Sequence, residues 1–196
     1  MNTVKIEHIA AGKLKADPAS ALIYQAYLGT CLGVAIYDKK NRFGGMIHIL
    51  LPEPPGFGPP EFPEKYASTG LPILINKLMD MGAQADFMEA TIAGGALVGP
   101  VSRQDMNLDI GGRSFEIANA ILRANSIPIV RSETGGFFTC TLELNLTSGH
   151  ATISPVWEET FKTDASFPKP TTQDILDTID NLKPIPQTAL KIIRMF

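Results

Sequence analysis

Residues 28–52 read LGTCLGVAIYDKKNRFGGMIHILLP, and the fold is decided in this stretch. Cys31 to Tyr37 is an apolar run of strand length, DKKN is a polar turn, and Phe43 to Leu51 is a second apolar run. The segment therefore predicts two strands lying side by side as a hairpin. Upstream, Thr3–Ile9 and Ala21–Ala26 are further runs of strand length. Downstream, Glu64 to Met81 places Tyr66, Leu71, Leu74, Ile75, Leu78 and Met81 near helical spacing and stops at Gly82, a suitable residue to follow a helix end. Phe87–Ala93 predicts a strand, Ser114–Ala124 a helix with Ile117, Ile121 and Leu122 on one face, and Ile127–Arg131 another strand. Gly135-Gly136 predicts the opening of a second hairpin, and Phe137–Leu146 and His150–Val156, joined by TSGH, alternate in the strand period. Strands interleaved with helices make the class mixed α/β.

At 196 residues the chain has room for one domain with about 30 to 50 residues left over. Hydrophobic residues make up 44% and charged residues 19%, which excludes global disorder. A net charge of −3 argues against a general nucleic-acid binder, whose affinity rests on clustered Lys and Arg. No apolar run approaches the roughly 20 residues that span a bilayer. The opening MNTVKIEHIAAGKLKADP lacks a secretory core, so membrane insertion is not expected and a cytoplasmic location is. Two cysteines cannot build a disulfide framework, and each must be explained singly.

Two stretches punctuate the chain. Leu51 to Pro63 carries six prolines and two glycines and predicts an extended surface loop of the kind that borders sites. FKTDASFPKPTT, residues 161–172, is polar and proline-containing, which sets the organisation as a domain over 1–156, a linker over 157–172 and a helical tail over 173–196. In the tail, Ile175, Leu176, Ile179 and Leu182 form a helical stripe, and the apolar end Leu190–Phe196 lacks a cap, as if the chain were a fragment or its end mobile.

Few residues can carry chemistry. Cys31 follows Leu28-Gly29-Thr30, where glycine permits a tight backbone, and precedes an apolar strand. It reads either as a small buried hydrophobe or as a nucleophile, which needs a base because a free thiol is only a few per cent ionised at neutral pH. Of the three histidines, His8 lies in an apolar run and His150 in a turn, whereas His48 lies on the strand paired with that of Cys31. A Cys31/His48 dyad and a merely structural histidine both remain open. Cys140 reads as packing. Neither CxxC nor HxxxH spacing is present, and Gly94-Gly95, Gly111-Gly112 and Gly135-Gly136 fit no phosphate-binding motif, so no metal or cofactor is expected and the glycines serve turns and bulges.

The order of these pieces resembles CheD, the chemoreceptor glutamine deamidase family of bacterial chemotaxis. The resemblance rests on Leu28-Gly29-Thr30-Cys31, on Gly44-Gly45-Met46-Ile47-His48, on Lys65-Tyr66-Ala67-Ser68-Thr69, on Ala93-Gly94-Gly95-Ala96, on Ile110-Gly111-Gly112-Arg113 and on Glu133-Thr134-Gly135-Gly136. It covers roughly residues 3–156, and the Cys31 to His48 interval of 17 agrees with the family pattern. The resemblance implies a mixed-sheet α/β sandwich of the cysteine-hydrolase type. It implies Cys31 as nucleophile, His48 as base, and oxyanion donors around Gly29 and Thr30. The reaction implied is conversion of glutamine to glutamate, with release of ammonia, on a chemoreceptor or related signalling protein.

The chain departs from the family at two places. Gln25 stands where the family has a functional threonine, and is expected to project toward the same mouth as Cys31 and to modulate His48. Phe137-Phe138 replaces an asparagine-tyrosine pair, which points to an altered substrate preference. A second reading is a catalytically degenerate module that binds a receptor or a CheC-like phosphatase without turnover. Residues 181–190 resemble the opening of an HDOD signalling domain, which would make the tail the start of a truncated second domain rather than an amphipathic tail of the first. Beside His48, the Cys31 thiol is expected to ionise more easily than free cysteine and to alkylate faster than Cys140.

Overall fold

Every residue of β4 (Leu32–Asp38) is buried, so both faces of this strand are covered. A computed structural model describes residues 4–56, 58–98 and 109–156 and accounts for that burial. β4 is the centre of a five-stranded sheet of order β2-β5-β4-β6-β7, with β2 (Leu14–Pro18), β5 (Phe43–Ile49), β6 (Met88–Gly94) and β7 (Ile129–Thr134). β1 (Lys5–His8), β3 (Leu22–Leu28), β8 (Cys140–Asn145) and β9 (Ala151–Pro155) form a second sheet of order β1-β3-β8-β9. Helices α1 (Ala67–Asp80) and α2 (Ile110–Ala124) complete the described elements, with two short 3-10 turns.

Strand alternation explains the layering. Leu32, Val34 and Ile36 of β4, with Ile47, Ile49 and Ile92, meet Leu71, Leu74, Ile75 and Leu78 of α1 and Ala118 and Leu122 of α2. The intervening Ala35 and Tyr37, with Met46, meet Tyr24, Ala26, Leu28, Leu142 and Leu144 of the second sheet. The result is a helix layer, a mixed five-stranded sheet and a mixed four-stranded sheet, the α/β sandwich that the sequence predicted. Among the described residues no helix is long and apolar enough to cross a membrane. The chain divides into two units, Met1–Val156 and Trp157–Phe196, and the second, which holds the predicted linker and tail, lies outside the described residues.

Local physics sets the element ends. Gly82 follows α1 with φ +107°, and the Ala83 N–H reaches back to the Leu78 carbonyl at 3.0 Å, the left-handed stop expected at this glycine. α2 starts four residues before the predicted Ser114 because the Asp109 side chain caps it, accepting from the Gly112 N–H at 3.1 Å. β2 was not legible: LKADP has no β-branched residue, buries only Ala16 and ends on a proline, which an edge strand tolerates. Gly135-Gly136 does not open a hairpin, because β7 and β8 belong to different sheets and the glycines carry the chain between layers.

The β4–β5 turn is locked by one carboxylate. Asp38 is fully buried and accepts from the N–H groups of Lys40 (2.9 Å), Asn41 (2.8 Å) and Gln84 (2.8 Å) and from Asn41 Nδ2 (2.8 Å). Burial alone would raise its pKa, but these hydrogen bonds outweigh it and hold the carboxyl below its ordinary value. A depressed carboxyl adds stability that is complete above the unfolded value of about 3.9 and is lost as pH falls through the folded value. Asp38→Ala, which strands buried N–H donors, is expected to cost about 2–4 kcal/mol in denaturant unfolding. The difference between variant and parent should shrink below pH 4.

Candidate active site

His48 lies in β5 between Ile47 and Ile49, which face the helices, so alternation turns its ring to the inter-sheet side with Met46. The ring is 6% exposed, and its Nδ1 lies 3.0 Å from the carbonyl oxygen of Ile9. A carbonyl only accepts, so Nδ1 carries the proton and donates, and in the neutral ring Nε2 is left as a bare acceptor. Among the described residues, Nε2 is the one buried side-chain nitrogen or oxygen that has no hydrogen-bond partner. Ile9 is itself anchored, its N–H donating to the Gln25 carbonyl at 2.8 Å. A main-chain relay thus runs from position 25 through Ile9 to the imidazole.

Cys31 ends the turn between β3 and β4. The Cα partner of His48 on β4 is Gly33. Cys31, two residues before Gly33, therefore falls on the same face as His48, one diagonal step away, where Cα positions are about 7–8 Å apart and side chains come closer. Consistently, Cys31 packs against the inter-sheet core. Gly33 leaves the face beside His48 to leucines: a Cβ there would come within 2.6 Å of a Leu28 methyl and 3.0 Å of Leu142.

The turn that bears Cys31 is held by backbone. The Cys31 carbonyl accepts from the Gly95 N–H at 2.8 Å and the Gly29 carbonyl from the Ala96 N–H at 2.9 Å. Gly94 has φ +97°, and a Cβ on it would run into the Cys31 carbonyl oxygen. Gly95 in turn lies against Gly111 at the start of α2, its own Cβ position 3.2 Å from the Gly111 Cα. The glycine pairs read in sequence as turns are thus also sites of close backbone approach. The N–H groups of Gly29, Thr30 and Cys31 donate to no backbone carbonyl among the described residues.

Gln25 is not brought to this face. Tyr24, Ala26 and Leu28 point into the inter-sheet core, so Gln25 points to the outer side of the four-stranded sheet, where its Nε2 donates to Glu143 Oε1 at 2.5 Å. The expectation that its side chain modulates His48 is corrected accordingly: position 25 is linked to the histidine only through the main chain of Ile9. Sequence reasoning missed Ile9 altogether, since a carbonyl that any residue supplies leaves no signature.

Electrostatics also depart from expectation. Burial pushes the Cys31 thiol up, only partly offset by a hydrogen bond from the Thr30 side chain. Burial likewise lowers His48, against the opposing bond to Ile9. The expectation that the thiol ionises more easily than free cysteine is therefore corrected: desolvation of both groups favours thiol and imidazole, each neutral. Cys140, also packed on the inter-sheet core, is raised by burial and by the charge of Glu133. A cavity of about 330 Å³, lined in part by Tyr37, Lys39, Glu89, Arg131 and His150, lies toward the β4–β5 turn and includes neither Cys31 nor His48.

Comparison with known proteins relates the chain to a family. The family described as CheD chemotactic sensory transduction matches residues 50–155, beginning just after His48. A relative from Clostridium acetobutylicum, named "Probable chemoreceptor glutamine deamidase CheD", is 40% identical over 129 residues, 66% of this chain and 78% of the relative. Relatives of the same name from Symbiobacterium thermophilum and Thermococcus kodakarensis are 35% and 38% identical, covering 80% and 66% of this chain and 96% and 80% of their own.

A half-buried neutral thiol makes a kinetic prediction. At pH 7 Cys31 should react with iodoacetamide more slowly than free cysteine, and its rate should climb only as pH passes above the free-cysteine value of about 8.5. A rate that is already at its plateau by pH 7 would mean a preformed thiolate–imidazolium pair instead.

Proposed function

The chain belongs to the CheD family, and from that membership we propose that it deamidates glutamine side chains of chemoreceptors through Cys31 and His48. The observation that carries the reading is the bare, buried Nε2 of His48, aimed to the inter-sheet side one diagonal step from a thiol. A histidine kept only for packing has no need of an unpaired acceptor there, because an unsatisfied buried group costs about 1–3 kcal/mol.

In this reading the Cys31 thiol turns toward Nε2 as substrate arrives and gives up its proton. The sulfur then attacks the carboxamide carbon of the glutamine, and the C=O becomes an oxyanion held by N–H groups of the Gly29–Cys31 turn. His48, now protonated and steadied through Nδ1 by Ile9, returns the proton to the departing amine. Ammonia leaves, and a thioester joins Cys31 to the substrate. His48 next takes a proton from water, the hydroxide opens the thioester, and glutamate and the free thiol result. Thr30 assists by favouring the thiolate. No cofactor enters these steps.

The protein would meet its substrate in the cytoplasm. A CheC-like phosphatase is a second proposed partner. Binding of a receptor or such a phosphatase without turnover is the competing reading, favoured by the raised thiol.

Ammonia release from a chemoreceptor fragment separates the two. Cys31→Ser and His48→Ala should each reduce it by at least about 10³-fold with the fold intact, and the double variant should be no worse than either, because the pair acts as a unit. Release from Cys31→Ser at the parental rate would leave only the binding module.

A further inference from the structure

The two sheets do not close on each other everywhere. Where β4, β6 and β7 meet the β8–β9 hairpin, a cavity of about 330 Å³ is left between them, within the roughly 300–1,000 Å³ in which small molecules bind. Side-chain size explains it. Elsewhere the seam is filled by Tyr24, Leu28, Met46 and Leu142, whereas here Ala35, Thr91 and Ala151 leave room. Ala35, Thr91 and Arg131 are successive partners across β4, β6 and β7, so they form one row of the sheet. Ala35 is the next residue of β4 after Gly33 to face the second sheet, which sets the cavity apart from Cys31 and His48 but in the same seam. Tyr37 fixes one wall. Its hydroxyl donates to the Leu146 carbonyl at 3.1 Å, and its ring lies so close to Gly149 that a Cβ there would overlap it.

The ionisable lining is unbalanced. Lys39 and Arg131 bring two positive charges against one negative charge, on Glu89, and His150 adds an imidazole. The cations are already partly engaged: Lys39 pairs with Glu89, and Arg131 places Nε and Nη2 at 3.0 and 2.5 Å from Glu133 Oε1. An ammonium has three N–H donors and a guanidinium five, so each keeps donors to spare. Beside them Ala35, Leu144 and Ala151 supply aliphatic surface. A cation would meet like charge here, and a wholly apolar molecule would cover N–H groups without pairing them. A carboxylate on an aliphatic body meets both demands, since its planar oxygens match a forked guanidinium.

We propose that this cavity binds a small organic carboxylate, with its aliphatic body on Ala35, Leu144 and Ala151 and its carboxylate held by Arg131 and Lys39. Occupancy does not depend on turnover at Cys31.

Titration of the full chain with isocaproate at pH 7 and constant ionic strength, followed by NMR of the Ala35, Thr91, Val130 and Ala151 methyl groups, tests it. These methyls should shift together and saturate in the millimolar range, as suits so small a ligand. Isocaproamide, which keeps the shape without the charge, and acetate, which keeps the charge without the body, should each bind at least about tenfold more weakly. Arg131→Gln changes an exposed side chain, so the fold should persist. It should weaken isocaproate at least about fivefold and leave the amide within about twofold of the parent. Shifts that do not saturate, an amide that binds as tightly as the carboxylate, or isocaproate affinity that survives Arg131→Gln would each overturn the assignment.

Discussion

The hydrogen bond from His48 Nδ1 to the Ile9 carbonyl is the interaction on which the proposed chemistry depends. It fixes the tautomer, so the lone pair sits on Nε2, and it fixes the ring in a pocket otherwise apolar. Its strength as a constraint comes from what lies behind it. Ile9 is tied by its N–H to the Gln25 carbonyl, and Gln25 sits in a β3 paired on both sides, to β1 and to β8. The imidazole is thus braced across the inter-sheet seam by main chain alone. That explains how a glutamine can occupy a position where the family resemblance implies a threonine: the relay needs a carbonyl at 25, whatever the side chain, and the carboxamide is free to bond Glu143 on the other face.

The thiol is braced by a different device, the omission of side chains. Gly94 and Gly95 let the end of β6 reach the Cys31 carbonyl, Gly111 lets the first turn of α2 rest on Gly95, and Gly33 leaves the face beside His48 to Leu28 and Leu142. At Gly94 and Gly111 the contact is closer than a Cβ allows, so glycine is required there by space, and at Gly94 and Gly95 a positive φ favours it as well. Two rigid supports, one under each member of the pair, leave the Cys31 side chain as the part that must move.

These supports mark how far the sequence could be read. The hairpin of β4 and β5 was legible because both strands are apolar runs separated by a polar turn, and with it came the neighbourhood of Cys31 and His48. α1 was legible from its stripe and from Gly82. What escaped was carried by the backbone: β2, which buries a single alanine; the first turn of α2, set by the Asp109 cap; the passage of Gly135-Gly136 from one sheet to the other; and the Ile9 carbonyl. The ionisation of Cys31 was misread for another reason. Spacing reveals a neighbouring histidine, but not that both groups are withdrawn from water, and desolvation reverses the sign of the shift.

That reversal sets when the thiol reacts. In the resting protein burial holds the Cys31 thiol in its neutral form. A thiol held neutral is a poor nucleophile toward stray electrophiles and oxidants, since the thiolate is the reactive form. Ionisation becomes favourable only when the new charges have partners, the sulfur facing a protonated His48 and then a carbonyl whose growing charge falls among the Gly29–Cys31 N–H groups. A bound substrate supplies that carbonyl and excludes water in the same step, and in a drier site each of those hydrogen bonds is stronger. Activation of the uncharged thiol then waits on the substrate, which itself completes the electrostatics of the site.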